Sequence, residues 1–329
     1  MPSVINERNR DLLALYGISL KKEQKSFALM QLKNCECDTR VSSTLYSALL
    51  NAIESNIPHT VKLPEITFGV ELEFVGSKDP YDISNFNAAM SKLLKEKYFY
   101  TGVYTHNDGT SWILGKDSSI NVTDSSVKSP FGFELSSPKL NLSSDSDIAI
   151  LATIISYVKT FLHGEVNESC GTHIHIGFKR KDTYRGYVCD VLSAYSEMEK
   201  KVFDTIVPTS RRRNRYCKHT MPYPRQKYQK LSSRFCNFSY DGTCKNLHFE
   251  FRQLEGTLDI NTILYWARFQ STILYDLIDN VGNHLDYVKS LMKKNIFEIL
   301  FHYGFDSSTI SFFIKRVIDF KSRTLHSLL

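Results

Sequence analysis

The chain has 329 residues, of which 42% are hydrophobic and 23% are charged, values close to the averages for globular proteins. This composition excludes intrinsically disordered and collagen-like classes. The longest apolar-rich run, from Ile148 to Val158, is too short for a bilayer-spanning helix, which needs about 20 residues. No signal-peptide pattern is visible, and the seven cysteines are scattered without a C-x-x-C pair. We therefore expect a cytoplasmic protein with reduced thiols and no membrane partner.

The net charge of +6 originates in one segment. Between Asp204 and Asp241 there is no acidic residue but there are nine basic ones, and subtracting these nine from 41 leaves 32 basic against 35 acidic residues elsewhere. Such a segment commonly binds the phosphates of a nucleotide or a nucleic acid, or else it is a solvated loop. The triplet 211–213 is too closely spaced for three side chains to reach one small site, so we expect part of it to meet solvent or an acidic partner.

In chain order, residues 1–63 show helical periodicity without strand alternation, which predicts a helical N-terminal segment and a docking element. Residues 64–258 mix strand and helix patterns and form the predicted core, and residues 259–329 contain three predicted helices that pack on it. The predicted core elements are strands 66–75, 133–135, 173–178 and 247–254 and helices 84–97, 147–162 and 183–203. Neither G-x-G-x-x-G nor G-x-x-x-x-G-K occurs, so the pattern favours a mixed α+β fold over a doubly wound nucleotide-binding domain.

Three of the predicted strands carry ionisable side chains on one face. Successive side chains of a strand point to opposite faces, so residues at i and i+2 share a face. In each of these strands one face is apolar and the other is ionisable, and a fourth, shorter strand places a carboxylate between Phe133 and Leu135. The ionisable positions are Glu71, Glu73, Glu134, His173, His175, His248, Glu250 and Arg252.

This residue mixture predicts a metal site. Ordinary solvent-exposed strand faces are rich in Ser, Thr and Lys, and that is the alternative for an antiparallel sheet with one wet face. Carboxylates this close repel one another unless cations balance them, and imidazole with carboxylate is a common ligand mixture for divalent metals. Because no thiolate stands at ligand spacing, the set favours Mg²⁺ or Mn²⁺ over Zn²⁺. Such ions beside a basic segment would suit the phosphates of a nucleotide.

Five short motifs follow one another along the chain. They are Gly69-Val-Glu71-Leu-Glu73, Trp112 with Asp117-Ser-Ser119-Ile120, Phe133-Glu134-Leu-Ser136-Ser-Pro138, Cys170-Gly171-Thr-His173-Ile-His175 and Phe249-Glu250-Phe-Arg252-Gln-Leu-Glu255-Gly256-Thr257. In this order they resemble the amidoligase family, part of the glutamine synthetase-like carboxylate–amine ligase superfamily. The resemblance extends over about residues 65–275.

The resemblance implies a curved antiparallel sheet, with helices on its convex face and metal ions on its concave face between ATP and the acyl substrate. It implies that 64–258 is a catalytic ligase core. The implied reaction transfers the γ-phosphoryl group of ATP to a carboxylate, releasing ADP, and an amine then attacks the acyl phosphate. The implied partners are a carboxylate donor and an amine acceptor, each of which is a peptide, a protein or a small molecule.

The resemblance also assigns roles to individual residues. The implied metal ligands, for Mg²⁺ or Mn²⁺, are Glu71, Glu73, Glu134, His173 and Glu250. The implied nucleotide-binding residues are His175, Arg215, Arg234 and Arg252. Of these, Arg252 matches an arginine that meets the transferred phosphoryl group or the substrate carboxylate.

Glu255 follows the strand of Glu250 and Arg252 and is a candidate general base for the incoming amine, with a plain turn carboxylate as the equal alternative. Two other functions are open at this point. One is a catalytically altered member of the fold that binds nucleotide without ligation, against which the intact ligand set argues. The other is a nucleic-acid-binding protein that uses the basic segment with its interleaved aromatic residues. The acidic strand faces argue against nucleic acid, because carboxylates repel phosphates unless metals intervene.

Overall fold

The computed structural model describes residues 66–103, 109–178, 188–199, 201–212, 214–219, 238–240, 247–281 and 284–320. The predicted helices of residues 1–63 lie outside these ranges, as does Arg234. The described residues fall into two compact units, which we call the sheet unit and the helical unit. The sheet unit contains the described residues of 63–193 and 208–275, and the helical unit those of 194–207 and 276–320.

The sheet unit is built on eight strands. They are β1 (Ile66–Ser77), β2 (Tyr98–Tyr100), β3 (Trp112–Lys116), β4 (Pro130–Ser136), β5 (Leu140–Asn141), β6 (Gly171–Phe178), β7 (Phe238–Tyr240) and β8 (Leu247–Glu255). Their order is β2-β3-β4-β1-β6-β8-β7, and β5 pairs with β1 beyond the end of β4. All neighbours are antiparallel except β2 and β3. The predicted mixed α+β fold is therefore confirmed.

Eight α-helices accompany the sheet in the described part of the chain. They are α1 (Pro80–Leu94), α2 (Asp145–Phe161), α3 (Val188–Glu199), α4 (Thr209–Arg212), α5 (Ile260–Asn280), α6 (Leu285–Met292), α7 (Ile296–His302) and α8 (Ser307–Asp319). The start of α1 was predicted at Ser84 but lies at Pro80, because the Asp79 side chain caps the helix by accepting from the Tyr81 amide. None of the described helices has the length and apolar character to cross a membrane.

One face of the sheet carries apolar side chains that are buried. On β1 the alternate residues Phe68, Leu72 and Phe74 are fully or almost fully buried, as are Ile174 on β6 and Phe249 on β8. Burial of each such side chain contributes about 1.5–3 kcal/mol. Burial of this apolar face fixes the register of the strands, because a slip of one position would bury the ionisable residues in place of the apolar ones. The ionisable residues are therefore held together on the opposite face.

That opposite face is closed at one end by a small apolar cluster. Val75 of β1, Ile120 and Val127 of the β3–β4 connection and Cys170 before β6 pack together there, with Val122 against them. Burial raises the pKa of the Cys170 thiol to about 11, so this thiol stays protonated at neutral pH. The cluster anchors the connection between β3 and β4. This connection begins with Asp117, a further acidic residue near the ionisable face.

The helical unit contains a buried carboxylate that is held by hydroxyl donors. Asp276 is 2% exposed. Its Oδ2 accepts hydrogen bonds from the hydroxyls of Tyr287 and Tyr303, both at 2.8 Å, and Asn280 Nδ2 donates to Oδ1 at 3.0 Å. A buried carboxylate is tolerated only when its oxygens are satisfied in this way, so the network connects the last turn of α5, residues 276–280, to α6 and to Tyr303 at the end of α7.

Replacement of Tyr303 with phenylalanine is expected to lower the free energy of unfolding by about 1.5–3 kcal/mol, the usual contribution of a hydrogen bond to a charged group. Urea denaturation measures this change. Tyr81→Phe is the control, because Tyr81 is 73% exposed and its replacement should shift stability by less than about 0.5 kcal/mol. Equal effects of the two changes would contradict a stabilising role of the network.

Candidate metal centre and active site

The ionisable residues form a continuous row across four strands of the sheet unit. Directly opposed residues in an antiparallel pair point to the same face. The opposed pairs run from β4 through β1 and β6 to β8, and they are Glu134 with Glu73, Glu71 with His173, and His175 with Glu250. Residues that are up to 179 positions apart in sequence thus meet on one surface. The structure thus brings together six of the eight ionisable positions that the strand patterns predict.

Among the described residues, two groups could hold a metal ion, and the first consists of Glu71, His175 and Glu250. Each residue offers one ligand atom, and the three atoms lie within 4.8 Å of one another. Nε2 of His175 is 3.2 Å from Oε1 of Glu71. His175, for which the resemblance implies a position near the nucleotide, lies beside two carboxylates. An imidazole nitrogen with two carboxylate oxygens is a donor set that Mg²⁺ and Mn²⁺ accept.

Glu73, Asp117 and Glu134 form the second group, again with ligand atoms within 4.8 Å of one another. This group contains only carboxylates, which are the ligands that hard divalent cations prefer. Glu73 is buried, and the other two are half-buried. Two candidate metal positions therefore lie side by side on the ionisable face.

His173 lies between the two groups. Its Nδ1 is 2.7 Å from Oε2 of Glu71 and 3.6 Å from Oε1 of Glu250, and its Nε2 is 3.3 Å from Oε1 of Glu73. The side chain is almost fully buried. His173, predicted as a metal ligand, thus contacts a carboxylate of each group through a different ring nitrogen.

Asp117 is a functional candidate that the strand patterns missed. It follows β3, where no strand was predicted, and its amide donates to the Gly132 carbonyl at 3.0 Å. Its Oδ1 accepts from the Ser119 amide at 2.7 Å. Gly132 is required there, because a Cβ would lie 2.4 Å from the Asp117 carbonyl oxygen. In the sequence, Asp117 stands out only as part of the second motif, and the resemblance did not imply a ligand role for it.

The first group is electrostatically balanced. Burial alone would raise the pKa of Glu71, but the neighbouring His175 and His173 outweigh burial and hold this pKa well below its usual range. The pKa of Glu250 is also lowered, because Arg252 and His175 outweigh the effect of burial. Both carboxylates therefore remain ionised at neutral pH.

The second group is not balanced by the protein itself. Burial, together with the negative charges of Glu71, Glu73 and Asp117, raises the pKa of Glu134 well above its ordinary value. Burial also raises the pKa of Glu73, and its interactions with His173 and Arg211 offset this only in part. Crowded carboxylates with raised pKa values are expected where a cation belongs. The donor set and its electrostatics therefore fit a divalent ion.

Arg252 adds a positive charge beside the first group. It occupies β8 two residues after Glu250, on the same face, and its Nη2 is 2.5 Å from Oε1 of Glu250. Burial by itself would lower its pKa, but Glu250 and Glu71 outweigh burial and raise it. The guanidinium is therefore charged at the edge of the candidate metal centre.

Glu255 reaches the ionisable face through an irregularity in β8. Glu255 follows Glu250 by an odd number of residues, so the two side chains would lie on opposite faces of a regular strand. However, the register shifts opposite His173, and Glu255 pairs with Gly171, which shares the face of His173. The bulge thus returns the candidate base to the candidate site.

The described arginines of the basic segment differ in burial and in their contacts. Arg211 is 2% exposed, and its Nη2 donates to the Arg252 carbonyl at 2.5 Å. Only part of the triplet 211–213 was expected to meet solvent, and Arg211 is the member that is buried, against Gly171. Arg212 Nη2 donates to Thr209 Oγ1 at 3.1 Å. Arg215, predicted to bind nucleotide, is exposed and lies over the Tyr216 ring, 4.6 Å from its centroid.

Comparison with known proteins gives one family match. The model of a family described as "Putative amidoligase enzyme" matches residues 64–274, which contain all the strands described above. A search of curated proteins finds no match.

Proposed function

The chain belongs to the amidoligase family, and on that premise we propose that it is an ATP-dependent carboxylate–amine ligase with a glutamine synthetase-like site. The observation that carries the proposal is the pair of adjacent ligand groups on one sheet face, with Arg252 at their edge. Phosphoryl transfer depends mainly on positioning and on neutralisation of charge, and this arrangement offers both.

In this proposal, Glu71, His175 and Glu250 hold one Mg²⁺ or Mn²⁺ ion, and Glu73, Asp117 and Glu134 hold a second. His173 is a ligand of either ion or the hydrogen-bonded link between the two groups. When bound, the ions would neutralise phosphate oxygens and orient the nucleotide. The raised pKa of Glu134 supports this reading, because a divalent ion would replace the proton that otherwise balances the group.

Arg252 is proposed to bind the phosphoryl group in transit and the carboxylate that receives it. A carboxylate is a poor acyl donor because its leaving group is oxide, whereas an acyl phosphate loses phosphate. The guanidinium stays charged and offers planar donors suited to both anions. Glu255, on the same face, is proposed to take the proton from the attacking amine.

The substrates are proposed to be a carboxylate donor and an amine acceptor, with residues 1–63, for which the sequence predicts helices, serving to dock one of them. This segment precedes β1 and lies outside the family match. Its docking role, the cytoplasmic location and the phosphate-binding roles of Arg215 and Arg234 remain proposals.

Incubation with ATP, Mg²⁺, hydroxylamine and a panel of carboxylates is expected to produce hydroxamate together with equal amounts of ADP and phosphate. Acyl-phosphate chemistry breaks the β–γ bond of ATP, whereas adenylation breaks the α–β bond. Hydroxamate and nucleotide products are measured in the same reactions, with EDTA as the control. Stoichiometric AMP would show a different ligase class. Nucleotide binding without any product would favour the altered family member, and tight, salt-sensitive binding of DNA or RNA would favour the nucleic-acid function.

A further inference from the structure

Strand β8 contains a bulge at the point where it passes His173. Ile174 pairs with Phe251 and Thr172 pairs with Leu254, so two residues of β8, Arg252 and Gln253, oppose the single residue His173. A bulge disrupts the ladder locally and redirects the side chains that follow it. Gln253 and Leu254 consequently both lie buried, and Gln270 of α5 donates to Gln253 at 3.2 Å.

The main chain at this bulge is held by side chains from the segment around α4. The Arg252 carbonyl accepts from Arg211 Nη2 at 2.5 Å and from the Cys217 thiol at 3.0 Å. Both donors are buried, with exposures of 2% and 1%. A buried carbonyl needs a partner, and here two side chains provide it where the ladder is irregular. Arg211 and Cys217 therefore both contact the main chain of Arg252.

The guanidinium of Arg211 also occupies the space where residue 171 would have a side chain. A Cβ built on Gly171 would lie 2.7 Å from Arg211 Nη2 and 3.0 Å from its Cζ and Nη1. Because Gly171 precedes His173 by two residues on β6, that space is on the ionisable face. The Gly171 amide donates to Oε2 of Glu73 at 2.6 Å, and Arg211 lowers the pKa of Glu73 against the larger effect of burial.

We propose that Arg211 is a positioning residue of the active site: its guanidinium, seated on Gly171, sets the β8 bulge that aims Arg252 and returns Glu255 to the catalytic face. The catalytic part of this inference rests on the proposed ligase function. The buried Nε of Arg211 has no hydrogen-bond partner among the described residues.

The test compares Arg211→Gln, Arg211→Lys and Gly171→Ala with Lys218→Gln, an exposed charge of the same segment. In the hydroxamate assay, Arg211→Gln is expected to lower kcat about 100-fold while the KM for ATP changes less than about threefold. Arg211→Lys should recover part of kcat, and Lys218→Gln should leave both constants within about twofold. Gly171→Ala should reproduce Arg211→Gln, and the double variant should lose no more than either single one, because both changes break one contact.

Hydrogen exchange of the residue 247–255 peptide gives a readout that needs no activity. Faster exchange is expected in Arg211→Gln and Gly171→Ala but not in Lys218→Gln. If the wild type forms no hydroxamate, the ligase proposal fails, and exchange still decides whether Arg211 holds the bulge. Unchanged exchange, multiplied losses in the double variant, or a change in KM alone would overturn the inference. If Arg211→Gln does not fold, Arg211→Lys and Gly171→Ala provide the same comparison.

Discussion

Replacement of Glu71 with glutamine is expected to lower ligase turnover by at least about 100-fold and to abolish binding of one of two divalent ions. Glutamine preserves the shape of the side chain, but its neutral oxygen is a weak ligand for Mg²⁺. Glu71 stands where both histidines of β6 contact it, at 2.7 Å from His173 and 3.2 Å from His175. Loss of its charge therefore disturbs the first ligand group at its centre.

Mn²⁺ titration followed by electron paramagnetic resonance measures the ion stoichiometry, and the hydroxamate assay measures turnover. Glu96→Gln is the matched control, because Glu96 is an exposed carboxylate of the same unit, just after α1. The variant is not expected to be more stable than the wild type, since the lowered pKa of Glu71 shows that its charge is favourable in the fold. Full turnover with two bound ions would refute the assignment of Glu71 as a ligand.

Replacement of Glu134 with glutamine is expected to have the opposite effect on stability, raising the Tm of the metal-free protein at neutral pH. Folding raises the pKa of Glu134 above its ordinary 4.5, because of burial and the neighbouring carboxylates. The wild type therefore loses stability as the pH rises from 4.5 toward the raised value, whereas glutamine has no proton to lose. Below pH 4.5 the side chain is neutral in both states, so the difference in Tm should close.

Addition of Mg²⁺ or Mn²⁺ should make the wild type more stable than Glu134→Gln. The wild type is expected to gain stability by binding the ion in the folded state, and the variant should gain less because one ligand is missing. Thermal denaturation across pH 4–8, with and without metal, measures these changes beside the Glu96→Gln control. A wild type that is more stable than the variant in EDTA at pH 8 would contradict the crowding of Glu73, Asp117 and Glu134.

The separate behaviour of these two carboxylates could not be predicted from the strand patterns, which place Glu71, Glu73 and Glu134 in one class. The burial of a group and the sign of its neighbours depend on contacts between distant parts of the chain. Glu71 contacts His173 across 102 positions, and the amide of Gly171 donates to Glu73 across 98. The pairing of β1 with β6 places Glu71 opposite a histidine, whereas the pairing of β1 with β4 places Glu134 opposite another carboxylate, Glu73.

The sequence by itself determined the mixed α+β fold and the identity of the main ligand candidates. A period of two is a local property, so β1, β6 and β8 reveal their apolar and ionisable faces without knowledge of their partners. The five motifs similarly identified the family over nearly the same range that the family match covers. The division of the chain at residues 63 and 258 and the role of Arg234 stay predictions.

The tertiary structure decided the positions of Asp117, Arg211 and Glu255. Asp117 and Arg211 lie outside the alternating strands, so no local periodicity relates their side chains to the ionisable face. Glu255 has the wrong parity for that face, and only the bulge opposite His173 corrects it. A bulge arises from pairing between β6 and β8 and from donors such as Arg211 that satisfy its carbonyl. These are long-range contacts, and a single strand carries no record of them.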